Sequence, residues 1–122
     1  MKKVILAVMV VFAFALVAIA ANNGPATIDL AKEWGLQTSK KPVQFPHAVH
    51  QSKNQCTDCH VKAEGGALKS VKTGAPLDPK ALVAAGTLKK GGMKNAIHDE
   101  FCWECHVQKK VPQGKSCTKC HK

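Results

Sequence analysis

The sequence predicts a small fold of mostly irregular structure, with short α-helices and a short N-terminal strand. Three observations lead to this expectation. The chain has only 122 residues, residues 1–20 do not resemble part of a folded core, and all six cysteines lie in three copies of one five-residue motif. A chain this short needs covalent or metal cross-links to stay folded with so little regular secondary structure.

Residues 1–20 have the pattern of a secretory signal peptide. Lys2 and Lys3 precede an uninterrupted apolar run, and the run ends in the small residues of Ala18-Ile19-Ala20. Residues 21–122 are then the mature domain, and export predicts a periplasmic location. The apolar stretch of eighteen residues is also at the short end of a membrane span. A retained anchor is therefore the alternative, and contact with the membrane is expected only in that case.

The repeated motif is Cys-x-x-Cys-His, the attachment signature of c-type haem. Two thiols on one helical turn form thioethers with the haem, and the adjacent histidine lies beneath the iron as its proximal ligand. Disulfides are the usual interpretation of six cysteines in an exported chain, and zinc sites use similar spacings, but zinc knuckles are paired and three would leave one unpaired. The sequence therefore predicts three covalent haem c groups. The copies are Cys56-Thr57-Asp58-Cys59-His60, Cys102-Trp103-Glu104-Cys105-His106 and Cys117-Thr118-Lys119-Cys120-His121.

The three histidines outside the motifs, His47, His50 and His98, match the number of distal iron ligands that three haems require. A single histidine taken alone is more often a surface or core residue than a ligand. Here the counts agree with none left over, and the mature chain has only one methionine, Met93. We therefore expect bis-histidine ligation of all three irons.

Local sequence patterns predict that the cysteines and histidines lie on short helices. Pro46 suits the start of a helical turn, which would carry His47 and His50 on one face and hold two haems close together. We expect a strand at residues 43–45, helices at the attachment motifs, and haems rather than side chains as the core. The mature chain's aromatic residues are expected to pack on haem faces; they are Trp34, Phe45, Phe101 and Trp103.

These features carry a family resemblance over residues 40–122. The run Val43-Gln44-Phe45-Pro46-His47-x-x-His50, the first motif, His98 four residues before Cys102, and a last motif at the chain end resemble the class III multihaem cytochromes c. Within that class, they resemble the three-haem cytochrome c-seven branch of the cytochrome c-three family. The resemblance implies the haem-cored class III fold. It also implies three ligand pairs: His47 with His60, His50 with His106, and His98 with His121.

Residues 61–97 depart from this pattern, because the stretch is long and Val61 stands where the four-haem type has a second histidine. Both departures agree with the loss of a fourth haem. The stretch is predicted to be loop, then a short helix capped by Asp78 and closed by Gly86, then loop. Packing over the vacated haem position and a plain surface insertion are both open.

The net charge and its distribution indicate which partners the chain can bind. The mature chain has 16 basic and 8 acidic side chains, a net charge of +8, and every basic residue is lysine. Without arginine, and with few aromatic residues, nucleic acid is an unsuitable partner. Acidic residues surround the second motif, whereas lysines surround the third, which predicts redox partners that dock by an acidic surface near the third haem. These lysines are Lys109, Lys110, Lys115, Lys119 and Lys122.

A bis-histidine haem has no open coordination position, so it exchanges electrons without binding a substrate. We therefore predict a low-potential electron carrier that is not an enzyme and has no catalytic residues. The resemblance implies anaerobic respiration, with a dehydrogenase, hydrogenase or membrane cytochrome as partner. Two alternatives are a multihaem reductase acting directly on metal or sulfur species, and a structural subunit of a larger cytochrome assembly.

Overall fold

The computed structural model describes residues 24–122; the predicted signal peptide lies outside them. Short helices and strands are joined by irregular segments, as predicted. Among the described residues, no helix is long and apolar enough to cross a membrane. In chain order the elements are β1 (Ile28–Asp29), α1 (Leu30–Trp34), β2 (Gln44–Phe45), α2 (His47–Gln51), α3 (Cys56–Cys59), β3 (His60–Lys62), β4 (Gly65–Lys69), β5 (Pro76–Leu77), α4 (Pro79–Ala84), the π-helix π1 (Ile97–Cys102), α5 (Trp103–Gln108) and α6 (Cys117–Cys120).

The N-terminal part is a two-stranded antiparallel ribbon that leads into α2. Ile28 pairs with Phe45 and Asp29 with Gln44, which confirms the predicted strand before Pro46. The Asp29 carboxylate caps α1 by accepting from the Lys32 backbone N–H at 3.0 Å and also accepts from the Gln44 amide at 2.8 Å. These hydrogen bonds stabilise the ionised form, first that from Lys32, and so lower the pKa of Asp29.

The segment 61–97 is only partly as predicted. Asp78 caps α4 by accepting from the N–H groups of Lys80 at 3.0 Å and Ala81 at 3.1 Å, and Gly86 follows the helix with φ 72°, so the predicted helix is confirmed. The loop prediction for the residues before it is wrong, because β3, β4 and β5 form an antiparallel sheet. Gly65 and Gly66, with φ 89° and 82°, provide the left-handed backbone that the tight hairpin requires.

The same segment contains a small side-chain core, so it is not a plain surface insertion. Leu77, Leu88 and Ile97 are buried together, and Trp34 and Phe101 are among the partly buried residues that pack against them. The expectation that the chain builds no side-chain core is therefore wrong here, and these two aromatic residues belong to that core. Outside residues 61–97, no apolar side chain of the described chain is buried.

Backbone hydrogen bonds attach this core to π1. The Glu100 carbonyl accepts from the N–H of Val71 at 2.8 Å and of Lys72 at 3.3 Å, while Ile97 at the start of π1 is buried in the cluster. The inserted segment therefore holds the element that carries His98 and Cys102.

Candidate functional site

The three Cys-x-x-Cys-His motifs each place their cysteines on one helical turn. Helices α3 and α6 begin and end at the two cysteines of the first and third motifs, whereas the second motif begins at the last residue of π1 and continues in α5. Residues three apart lie on the same side of a helix, so each pair of thiols can attach to one flat group. All six thiols are free rather than joined in disulfides.

Five of the six thiols are partly buried, and Cys117 is exposed. Burial raises the pKa of Cys102 to about 12, and burial is also the main cause of the raised pKa values of Cys59, Cys105 and Cys120. A thiol with a raised pKa is neutral at pH 7. The surroundings of these sulfur atoms therefore suit a neutral, apolar sulfur such as a thioether.

All six histidines share one hydrogen-bonding feature: the ring Nδ1 lies against a backbone carbonyl oxygen. A carbonyl oxygen can only accept, so Nδ1 must carry the hydrogen and donate it, which leaves the Nε2 lone pair free in the neutral ring. Metal-bound histidines are held in this way. The pairs are His47 with Pro25 at 3.0 Å, His50 with Pro46 at 3.0 Å, His60 with Gly66 at 2.9 Å, His98 with Met93 at 2.7 Å, His106 with Gly114 at 2.7 Å, and His121 with Lys41 at 2.8 Å.

Four of the histidines come together in two pairs. The ring centroids of His47 and His60 are 6.3 Å apart, with the planes at 76°. The centroids of His50 and His106 are also 6.3 Å apart, with the planes at 27°. Two metal–nitrogen bonds of about 2.0 Å, each continued by roughly 1.1 Å to the ring centre, give a separation of about 6.2 Å. Both pairs therefore fit one iron between two imidazoles.

The third expected pair is not brought together in this way. Among residues 24–122, the rings of His98 and His121 make no contact of the kind seen in the other two pairs; His98 instead stacks on Trp103, with centroids 4.7 Å apart and planes at 7°. The Asn95 side chain also supports His98, because its Oδ1 accepts from the His98 backbone N–H at 3.0 Å.

Two further residues contact the candidate ligands and were not predicted to do so. Phe45 lies with its ring centroid 4.3 Å from that of His50. Gly114 lies so close to His106 that a Cβ at this position would be 2.5 Å from the His106 Cβ. The glycine is visible in the sequence, but its role depends on a contact eight residues away that no local pattern reveals.

Paired cysteines followed by carbonyl-held histidines, on short helices with little side-chain core, define a multihaem c-type cytochrome. The model of the Class III cytochrome C family matches residues 25–122, and the chain belongs to this family. It is therefore an electron-transfer protein with covalently attached c-type haem. No curated protein and no solved structure matches the chain.

Proposed function

We propose that this chain is a periplasmic, low-potential electron carrier of the three-haem cytochrome c-seven type, with bis-histidine ligation at each iron. The observation that carries the proposal is the shared state of the six imidazoles, each donating Nδ1–H to a backbone carbonyl. Six free Nε2 atoms supply two ligands for each of three irons.

Each haem has its own set of residues in this proposal. The first set is Cys56 and Cys59 with His60 and His47, and the second is Cys102 and Cys105 with His106 and His50. The centroid separation of 6.3 Å in both histidine pairs supports these sets. The third set, Cys117 and Cys120 with His121 and His98, rests on the count of residues and the family pattern, and on the matching Nδ1 hydrogen bonds.

The protein's own groups favour a low potential and a carrier role. Bound haem supplies reversible one-electron transfer at iron. A carbonyl that accepts from Nδ1–H increases the basicity of the imidazole, which stabilises the ferric state and lowers the potential. With imidazole as the ligand on both sides, the irons have no position for substrate, so we expect no catalytic activity.

Residues 1–20 support the proposed location, and the lysines around the third motif support the proposed kind of partner. The N-terminal signal pattern in residues 1–20 supports export to the periplasm. Around the third motif, Lys110, Lys119 and Lys122 form no ion pair within residues 24–122, and Lys109 makes only a 4.0 Å contact with Asp58. This uncompensated positive charge suits a redox partner with an acidic surface.

Mass spectrometry and carbon monoxide binding test this proposal. The denatured mature protein should weigh three haems more than its chain, with no free thiols, and the reduced native protein should not bind carbon monoxide. His98→Ala should then give one high-spin iron that binds carbon monoxide, while the other two haems stay low-spin. A smaller haem count, or stoichiometric carbon monoxide binding by the unmutated protein, would contradict it.

A further inference from the structure

Among the described residues, the rings of His98 and Trp103 form the closest parallel contact. Their centroids are 4.7 Å apart and their planes differ by 7°. The contact depends on π1, in which the Trp103 backbone N–H donates to the His98 carbonyl, five residues earlier. Residues five apart lie on different sides of an α-helix, but the wider π-helical turn brings them together.

Trp103 is also connected to the other attachment sites. It is the first residue between Cys102 and Cys105 of the second motif. The Lys115 ammonium, two residues before the third motif, lies 5.8 Å from the centroid of its ring, within range of a cation–π interaction. The indole is therefore fixed by the second motif's backbone and approached by a cation next to the third.

We propose that Trp103 is a positioning residue that sets the plane of the His98 imidazole and keeps that ring on its iron. The inference rests on the proposed role of His98 as an iron ligand. The Met93 carbonyl accepts from Nδ1 at 2.7 Å and the Asn95 amide nitrogen lies 3.1 Å from the same atom, so both contacts hold one edge of the imidazole. The stacked indole instead covers the face of the ring, and a change in the tilt of the imidazole would lose this parallel contact.

The plane of an axial imidazole can be measured independently of electron-transfer activity. Its orientation relative to the opposite ligand changes the splitting of the iron d orbitals, and so the low-spin ferric EPR signal of that haem. Trp103→Leu should shift or broaden one of three low-spin signals and let the reduced protein bind carbon monoxide at one haem. Trp103→Phe keeps an aromatic face and should restore the original signal.

Two control variants separate stacking from other effects. Trp34→Leu removes the other tryptophan, which packs on the Leu77, Leu88 and Ile97 cluster; it should lower thermal stability but change the three signals less than Trp103→Leu does, because His98 keeps its stacked indole. Lys115→Gln removes the cation and should leave the low-spin EPR signal of the haem that His98 is proposed to ligate unchanged. If Lys115→Gln alone reproduces the change, charge rather than stacking is responsible and the inference is wrong.

The two proposals can fail separately. Carbon monoxide binding or missing haems in the unmutated protein would contradict the proposed function. Three intact low-spin haems in the unmutated protein, with an unchanged spectrum in Trp103→Leu, would overturn the role of Trp103 alone.

Discussion

The imidazole planes of His47 and His60 are nearly perpendicular, at 76° across a centroid separation of 6.3 Å. The planes of His50 and His106 are inclined at only 27° across the same separation. Ligand planes near 90° leave two iron d orbitals close in energy, whereas nearly parallel planes separate them.

The first prediction follows from this difference. With the ligation proposed above, EPR of the ferric protein should contain one strongly anisotropic low-spin signal, from the proposed His47–His60 haem, and one ordinary rhombic signal, from the proposed His50–His106 haem. His47→Ala should abolish the first signal and His50→Ala the second. Two identical rhombic signals would contradict the described ring orientations.

The second prediction concerns Gly114. A Cβ at this position would lie 2.5 Å from the His106 Cβ and 2.9 Å from its Nδ1, so Gly114→Ala must displace the histidine. We expect the rhombic signal to weaken and one haem to bind carbon monoxide.

Gly35→Ala is the matched control for Gly114→Ala. A Cβ at Gly35 would have no atom within 4 Å, but the backbone φ there is +67°. Gly35→Ala should therefore lower the free energy of unfolding by about 1 kcal/mol and leave the spectra unchanged. If Gly114→Ala and Gly35→Ala give the same EPR spectrum, Gly114 does not hold His106.

The third prediction concerns the inserted core. Leu88 is 5% exposed, and Leu88→Ala should lower the free energy of unfolding by about 2 kcal/mol, at the low end for a core position because the cluster is small. The signals of the His47–His60 and His50–His106 haems should persist, since none of those histidines belongs to the cluster. Val61→Ala, at a half-exposed site, should be nearly neutral. Loss of all three haem signals in Leu88→Ala would contradict this separation.

The fourth prediction concerns docking. Stopped-flow oxidation by an acidic redox protein should slow as salt is added, because exposed charges are screened beyond about 10 Å at 0.1 M ionic strength. Lys119→Gln should slow the reaction at low salt. Lys80→Gln should not, since Lys80 lies in the inserted segment and pairs with Glu33 at 3.2 Å. A rate independent of ionic strength would argue against an acidic partner.

Local sequence was sufficient where local interactions decide the structure. Pro46 before α2, the cysteine spacing of α3 and α6, and the Asp78 cap of α4 each act within one helical turn. The sheet of β3, β4 and β5 was missed because its strands are fixed by partners up to nine residues away, such as Leu68 opposite Leu77. Strand formation of this kind depends on cross-strand packing more than on intrinsic preference.

The site was predictable in its residues and less so in its geometry. Motif chemistry and histidine count selected twelve side chains, and the structure brings four of the histidines together in the two pairs that the family pattern implied. The ligation itself stays a prediction. The hydrogen-bond acceptors of the rings are backbone carbonyls, which every residue has, so no side-chain pattern could identify them. The stack of His98 on Trp103 needs a π-helical turn, which a search for 3.6-residue periodicity does not detect.

The hydrogen bond from His121 to the Lys41 carbonyl joins residues 80 positions apart. Residue 41 is synthesised well before residue 121, so the Lys41 carbonyl gains this hydrogen-bond donor only after the third motif has been made. In the proposed arrangement, the third set of ligands is therefore the last that synthesis can complete, because every cysteine and histidine of the first two sets precedes Cys117.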